Sequence, residues 1–316
     1  MLMCRMCHQL LHNTNDEYSC LSCGVTWKSV NGILTSPAPR THRQSGESED
    51  FFNRYHQERT TSSSLIQPWW ARLETLDPTR LISELTKLTT PKVVMEIGCG
   101  NGSNLSTVLE AYPDVAQLIG CDVSFEALTY AQARIANESD AKNLLLIHSD
   151  GAHLPVELGC ADLVLLINVL HHTTDLSLIG DAARFVRRGG IVLIIDLHSG
   201  NLLCNASRIA WKYLPKPLKR RFNSDLLVDD KAPDVQLVDL SDLDIHTAQS
   251  GLIQESAEFK GLFLFIFQYF CILFPVVADY IPKYIWLRLA MAERAALMHP
   301  FFQRRCAAFG LQFRKI

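Results

Sequence analysis

Short apolar runs alternate with amphipathic stretches along the middle of the 316-residue chain, a pattern typical of a buried sheet flanked by helices. The first apolar run, residues 93–97, predicts a buried strand, and residues 101–112 follow it with helical spacing. Further apolar runs predict the next strands, at residues 118–123, 144–147, 161–168 and 191–196. This order predicts an α/β fold with a doubly wound, mostly parallel sheet.

The pattern continues less regularly after residue 200. Helices are predicted over residues 201–213 and 239–250, and Gly251 is placed to cap the second of them. The uncharged run 261–278 is predicted to begin as the sixth strand and to continue as a hydrophobic helix. Residues 307–315 are predicted to form the last strand.

A glycine-rich turn joins the first predicted strand to its helix. Gly98, Gly100 and Gly102 let the backbone turn sharply and approach a ligand, as happens where open α/β sheets bind nucleotide-like cofactors. Asp122 ends the second strand, where a carboxylate can accept hydrogen bonds from ribose hydroxyls of either NAD or S-adenosylmethionine. Glu96 favours S-adenosylmethionine, because a buried carboxylate would repel a pyrophosphate and attract an ammonium or a sulfonium.

Polar residues also follow the third and fourth strands. Asp150, with Gly151 after it, stands where it can receive the amino group of an adenine. Asn168 ends the fourth strand, and His171 and His172 follow at the edge of the sheet where substrate binds. A neutral imidazole there can accept a proton near pH 7, and packing or helix capping is the alternative role for the pair.

Taken in this order, the motifs resemble those of class I S-adenosylmethionine-dependent methyltransferases, especially the small-molecule, methyltransferase type 11-like branch. The matching motifs are E-x-G-x-G-x-G at 96–102, the acid at 122, D-x-x-x-L-P at 150–155, N-V-L-H-H at 168–172 and the turn at 187–190. Arg188 replaces the usual proline of the last motif. The resemblance covers about residues 85–200 and implies a Rossmann-like, seven-stranded doubly wound sheet with helices on both faces.

The same resemblance implies a role for each motif residue. The glycine turn would lie along the amino-acid and ribose portion of the cofactor, and Glu96 would order that turn and the cofactor's ammonium. Asp122 would hold the ribose hydroxyls, Asp150 and Gly151 would lie at the adenine, and Asn168 would line the methionine side. His171 and His172 are the candidate bases for an acceptor that must lose a proton.

Two C-x-x-C pairs separated by twelve residues stand at the front of the chain: Cys4, Cys7, Cys20 and Cys23. Such pairs supply four thiolates for a closed tetrahedral zinc site, and a ribbon this small needs its metal to fold. We therefore expect structural Zn²⁺. The segment resembles zinc ribbons that precede some methyltransferase domains, including those of ribosomal RNA guanine methyltransferases.

Composition shifts divide the chain into three parts. We expect a zinc ribbon at 1–35, a Ser-, Pro- and Arg-rich linker at 36–50, and a methyltransferase domain at 51–316. Within that domain we place lid helices at 51–90, the core at 91–200 and substrate-side insertions at about 201–300. Tyr55 is the candidate lid residue over the cofactor, or else a packed surface aromatic.

Charge and cysteine usage bear on partners and compartment. The formal net charge of −3 argues against a generally basic nucleic-acid binder, although five basic residues fall within 212–221 and could meet phosphate, an anionic membrane or solvent. Six further cysteines are scattered through the sequence and no secretory signal is evident, so we expect a cytoplasmic protein.

The uncharged run 261–278 approaches the length of a membrane span, but Gln268 and Pro275 interrupt it. Aromatic and basic residues follow at 280–288, a mixture typical of membrane interfaces. A buried insertion, an apolar substrate channel and a peripheral membrane contact all fit. We favour a channel combined with a contact through 261–290 at the inner face of a membrane.

The predicted function is transfer of a methyl group from S-adenosylmethionine to a small, lipophilic or natural-product-like acceptor. Because the transfer is an in-line displacement, the protein mainly has to align the two reactants and exclude water. The alternatives are an RNA methyltransferase that docks rRNA or tRNA through the ribbon, and a non-catalytic cofactor-binding scaffold. Intact acids at positions 96, 122 and 150 argue against the scaffold.

Overall fold

The computed structural model describes residues 2–4, 6–35, 76–85, 90–138, 143–152, 154–173, 175–201, 213, 236–264 and 280–316. Several predicted features therefore lie outside the described residues. They are Tyr55, the linker 36–50, the basic run 212–221 and the helix 201–213 apart from single residues, and the apolar run beyond residue 264.

Four short antiparallel strands form the ribbon. They are β1 (His12–Thr14), β2 (Glu17–Ser19), β3 (Thr26–Val30) and β4 (Ile33–Thr35). Asn15 and Asp16 take positive φ angles at the first turn, and Asn31 and Gly32 do so at the turn between β3 and β4. Asn, Asp and Gly tolerate this backbone conformation best, which fits a hairpin at each place.

Seven further strands among the described residues form the core sheet. They are β5 (Val93–Ile97), β6 (Gln117–Asp122), β7 (Leu144–His148), β8 (Ala161–Ile167), β9 (Val186–Leu197), β10 (Leu252–Lys260) and β11 (Ala308–Lys315). Their spatial order is β7-β6-β5-β8-β9-β11-β10. β5 to β9 pair in parallel, and β11 runs antiparallel between β9 and β10. The strand order reverses between β5 and β8, which is where open α/β sheets bind ligands.

Helices cover both faces of this sheet, as the resemblance implied. They are α1 (Pro78–Leu85), α2 (Ser103–Ala111), α3 (Phe125–Glu138), α4 (Ser177–Phe185), α5 (Leu240–Gln249), α6 (Lys283–Ala296) and α7 (Pro300–Gln303). Leu105 of α2 and Leu128 of α3 pack on one face with Val94, while Leu178 of α4 and Leu243 of α5 join Met95 in the cluster on the other. Because both faces are covered, the parallel strands read as continuous apolar runs.

The predicted position of the sixth strand was wrong. That strand is β10, which ends at Lys260, so it lies wholly before the apolar run that was expected to contain it. Among the described residues, β10 lies at the edge of the sheet and pairs with β11 alone, and most of its side chains are exposed or partly exposed. An edge strand needs no apolar run, which is why hydrophobicity alone misplaced it. The helix before it is confirmed as α5, and the last strand is confirmed as β11.

Within the described part of the chain, no helix combines the length and the apolar character that crossing a membrane requires.

Candidate cofactor and acceptor site

The glycine turn after β5 is held tightly between two neighbouring strands. The amide groups of Gly98 and Cys99 both donate to the carbonyl of Cys121 at the end of β6, at 2.8 and 3.0 Å. Gly98 has φ +78°, and a Cβ added there would lie 2.6 Å from Cγ2 of Val169. Position 98 therefore requires glycine, and the turn lies directly against the segment that follows β8.

Asp122 links the end of β6 to this turn. Its Oδ2 accepts a hydrogen bond from the Gly100 amide at 2.8 Å, and its Oδ1 accepts one from the Ser124 amide at 2.9 Å. The residue is only partly buried. Each carboxylate oxygen can accept two hydrogen bonds, so Asp122 keeps capacity for ribose hydroxyls while it orders the turn.

Glu96 is fully buried within β5. Its Oε1 accepts a hydrogen bond from Nδ2 of Asn104 at 2.7 Å, and its Oε2 has no partner among the described residues. Burial, together with the nearby charge of Asp122, raises the pKa of Glu96 to about 8. An unpaired buried oxygen beside a second carboxylate fits a cationic ligand group such as the cofactor's ammonium.

The loop after β7 brings Asp150 to the same edge. The amide of Ser149 donates to the carbonyl of Asp122 at 3.0 Å, and Oδ1 of Asp150 accepts from the Ala152 amide at 3.1 Å. Gly151 has φ +83°, and a Cβ there would lie 2.6 Å from Cγ2 of Ile97. Only glycine fits at position 151, because the Asp150 loop packs directly against β5.

Asn168 is exposed directly after β8, and its amide donates to the carbonyl of Ile195 at 2.8 Å. Its φ of 54° is unusual for a residue other than glycine, although Asn is among those that tolerate it best. The chain turns sharply here, which directs the following residues back over the glycine turn.

A short 3₁₀ turn, Leu170–His172, carries the histidine pair. Nδ1 of His171 lies 2.5 Å from Oδ1 of Asp196, the residue near the end of β9. Asp196 is 1% exposed and also accepts hydrogen bonds from the amides of Leu170 (2.8 Å) and Leu197 (2.7 Å). Because a carboxylate only accepts hydrogen bonds, the Nδ1 proton of His171 points to Asp196 and Nε2 is left as the second polar atom of the ring.

His172 stands in a different environment. Its ring centroid lies 3.9 Å from that of His171, and burial together with the neighbouring His171 lowers the pKa of His172 to about 3. His172 therefore stays neutral over the physiological pH range. The structure distinguishes the environments of the two histidines, which the sequence could not do. Among the contacts that the structure describes, the one to a buried carboxylate is made by His171.

Asp196 was not predicted as a site residue. The sequence did contain a signal for it, because Asp196 is an acid at the end of the predicted apolar strand 191–196, which is part of β9. What the sequence did not give is its partner, which lies 25 residues earlier in the chain and meets it only because β8 and β9 are neighbours. Glu96, Asp122, Asp150, Asn168 and His171 thus all lie within or just after neighbouring parallel strands, at one edge of the sheet.

The four ribbon cysteines converge as expected. Their sulfur atoms all lie within 4.8 Å of one another, with Cys4 and Cys23 at 3.3 Å and Cys7 and Cys20 at 3.2 Å. Four thiols gathered in this way fit the ligand set of a closed tetrahedral zinc site.

Comparisons with known proteins agree with this geometry. Residues 94–190 match the family described as "Methyltransferase domain". A highly reducing polyketide synthase, otaA, of Aspergillus carbonarius is 28% identical over 137 residues, which are 39% of this chain and 5% of that protein. The same synthase of Aspergillus niger is 29% identical over 137 residues. The chain thus spans only a small part of the curated relatives that it matches.

Two solved structures share the fold. One is phosphoethanolamine N-methyltransferase 2 of Haemonchus contortus in complex with S-adenosyl-L-methionine, at 15% identity and a TM-score of 0.51, covering 84% of this chain and 59% of that one. The other is the cyclopropane synthase MmaA2 of Mycobacterium tuberculosis, at 12% identity and a TM-score of 0.50, covering 88% and 100%. Residues 94–190 thus match a methyltransferase domain, and the sheet that contains them has the fold of these two solved structures.

Proposed function

We propose that this protein transfers a methyl group from S-adenosylmethionine to a small, lipophilic acceptor that gives up a proton to His171. The observation that carries the proposal is the buried pair of His171 and Asp196 at the carboxyl edge of the sheet. His171 follows Val169, which lies against the glycine turn, by two residues. The acids on the neighbouring strands supply the cofactor side of the same edge.

The residues present fit the cofactor. Asp122 retains acceptor capacity for ribose hydroxyls, Glu96 offers a buried carboxyl oxygen to the cofactor's ammonium, and Asp150 is placed for the adenine amine. Asn168 would line the methionine side. When bound, the cofactor supplies an activated methyl group on a sulfonium, so the protein needs only to align the acceptor and manage its proton.

His171 is arranged as a general base. Donation of its Nδ1 proton to Asp196 leaves the lone pair on Nε2 for the acceptor's proton. Once His171 takes that proton, the imidazolium forms beside a buried carboxylate that two backbone amides already hold in place. His172 packs against His171 and resists protonation, so we assign it a positioning role.

The nature of the relatives supports a small acceptor. The curated relatives are named polyketide synthases, and one solved relative is a phosphoethanolamine N-methyltransferase; both names refer to small molecules rather than to nucleic acids. The net charge of −3 agrees with that choice.

The C-terminal helices support a lipophilic environment. On α6, Tyr284, Leu287 and Met291 recur along one side and are all exposed, with Met291 70% exposed. Arg288 and Arg294 are exposed on the same helix. Exposed apolar residues with flanking arginines are what a helix lying on an anionic membrane surface presents. We propose that this face of α6 makes a peripheral membrane contact.

The start of the uncharged run is attached to α6. Glu293 is the acid of that helix, is 3% exposed, and accepts hydrogen bonds from the amides of Gly261 (3.0 Å), Phe263 (2.9 Å) and Leu264 (2.8 Å). The only acid of α6 is thus withdrawn from its surface, which leaves the exposed charges of the helix positive.

Transfer of a labelled methyl group tests the proposal. The zinc-loaded protein would be incubated with methyl-labelled S-adenosylmethionine and, separately, with a total-lipid extract, a panel of hydroxylated and β-keto small molecules, and total RNA. We expect label in the organic-soluble products. Label confined to RNA would replace the small acceptor with the RNA alternative, and failure to bind the cofactor at all would refute the enzyme class.

Once an acceptor has been identified, the variants His171→Gln and Asp196→Asn test whether His171 acts as the general base. Each should lower kcat by at least about a hundredfold, because positioned general bases contribute 10²–10⁴ in rate. Cofactor affinity should stay within about twofold of the wild type in both variants. Asp244→Asn, an exposed acid on α5, is the matched control. Near-normal turnover in His171→Gln would show that another group takes the proton.

A further inference from the structure

The ribbon is joined to the core sheet rather than standing apart from it. Its last strand, β4, pairs in parallel with β7, with Ile33 opposite Leu146 and Thr35 opposite His148. The ribbon therefore extends the sheet to eleven strands in the part of the chain that the structure describes. β7 is also the strand that leads into Asp150, so the ribbon is attached directly beside the adenine side of the proposed site.

The residues in front of the first cysteine make a second attachment. The amide of Met3 donates to the carbonyl of Pro155 at 2.9 Å, and Leu2 forms an antiparallel bridge with Val156. These contacts fix the end of the loop that begins at Asp150. Since Met3 directly precedes Cys4, the position of that amide depends on the folded knuckle.

Further contacts carry the attachment to the ribose side. The backbone of His148 pairs with the ribbon strand β4. Its side-chain Nε2 lies 2.9 Å from the carbonyl oxygen of Val123. The Ser149 amide holds the carbonyl of Asp122, as described above. In addition, Nε2 of Gln132 on α3 donates to the carbonyl of Asn31 in the ribbon turn, at 3.0 Å. The ribbon thus supports the loops that carry both Asp122 and Asp150.

We propose that metal binding to Cys4, Cys7, Cys20 and Cys23 positions the Asp122 and Asp150 loops, so that metal binding and cofactor binding are thermodynamically coupled. The inference rests on the proposed function, because it takes S-adenosylmethionine as the cofactor. Three of the four ribbon strands have only three residues, so the ribbon cannot hold its shape without the metal. Losing the metal would release both attachments and leave the two carboxylates less ordered.

Coupling of this kind is reciprocal, and that gives the test two readouts besides activity. We expect metal-stripped protein to bind S-adenosylmethionine about tenfold more weakly than zinc-loaded protein in calorimetry, within the usual range of coupling between sites. Saturating S-adenosylmethionine should raise zinc affinity by the same factor, measured by competition with a chromogenic chelator. Hydrogen exchange should show amide protection lost at residues 149–156 and kept in β5 and β8.

A variant that keeps all four cysteines separates coupling from loss of folding. Met3→Pro removes the amide that donates to Pro155, whereas Met3→Ala keeps that amide and serves as the control. We expect Met3→Pro to retain its zinc and to bind the cofactor about fivefold more weakly than Met3→Ala, the usual effect of one hydrogen bond. This comparison decides the matter if metal removal unfolds the whole protein.

The outcomes are distinct. Equal cofactor affinity in loaded and in stripped but folded protein, or in Met3→Pro and Met3→Ala, overturns the coupling and leaves the proposed methyl transfer standing. Absence of S-adenosylmethionine binding to the zinc-loaded wild type overturns the proposed function and this inference with it.

Discussion

Replacing Glu96 with glutamine should remove a pH-dependent loss of folding stability that the wild-type protein carries. Glu96 is fully buried, its Oε1 accepts from Asn104, and its Oε2 has no partner among the described residues. Burial and the charge of Asp122 raise its pKa from an ordinary value of 4.5 to about 8. Glutamine has the same shape and can still accept from Asn104, but it carries no charge at any pH.

Proton linkage gives the direction and the size of this change in folding stability with pH. Between pH 4.5 and about pH 8 the folded protein holds a proton on Glu96 that the unfolded chain has released. The stabilisation is complete below the unfolded pKa and is lost as pH rises through the folded one. The free energy of unfolding falls by at most about 1.4 kcal/mol per pH unit for one proton. Over two pH units the wild type should therefore lose roughly 2–3 kcal/mol of stability, whereas Glu96→Gln should not show this loss.

The cofactor should act on the same group. A bound cation favours ionised Glu96, so S-adenosylmethionine binding below about pH 8 should release a proton, and wild-type affinity should rise by up to about tenfold per pH unit. Glu96→Gln should bind more weakly and without that rise. Urea denaturation across the pH series measures the stability, and calorimetry in two buffers of different ionisation enthalpy counts the protons.

Glu110→Gln, an exposed glutamate on α2, is the matched control and should behave as the wild type does. Parallel stability curves for wild type and Glu96→Gln would refute the reasoning, since they would mean that Glu96 is already ionised in the folded protein. Cofactor binding without proton release at about pH 7 would contradict the placement of a cation at this carboxyl group.

The other predictions concern the ribose side and the membrane face. Asp122→Asn should weaken S-adenosylmethionine binding at least about tenfold in calorimetry, because hydrogen bonds to a charged group are lost, while Asp114→Asn, exposed after α2, should not. Unchanged affinity in Asp122→Asn would remove it from the site. Met291→Glu should reduce co-sedimentation with vesicles containing anionic lipid, whereas Ile316→Glu, also exposed, should leave it unchanged. Equal sedimentation of both variants would refute the α6 contact.

The core of the fold could be predicted because each buried strand leaves its own hydrophobic pattern in a short stretch of sequence. β5 to β9 are parallel strands covered on both faces, so each contains a mostly apolar run. The glycine spacing after β5 and the acid at the end of β6 then locate one edge of the sheet. Strand ends in a parallel sheet share that edge, which is why residues far apart in sequence could be assigned to one site.

What the sequence did not predict depends on partners that are distant in the chain. β10 has a mostly exposed edge pattern, so its place was visible only through its pairing with β11. β4 has three residues, too few for a periodic signal, and its union with β7 had no counterpart in the sequence pattern. The pairing of His171 with Asp196 likewise required the neighbourhood of β8 and β9.

The charges at this edge of the sheet bear on which nucleotide cofactor the proposed site would favour. Glu96 and Asp122 lie close enough for the charge of one to raise the pKa of the other, yet both accept only neutral amide donors among the described residues. A pair of carboxylates without a basic partner costs the folded protein energy, and a pyrophosphate would add to that cost. A ligand that brings both a sulfonium and an ammonium relieves it. We therefore propose that the feature that lowers the stability of the protein also favours S-adenosylmethionine over NAD, so that a single substitution at position 96 should alter the stability and the selectivity together.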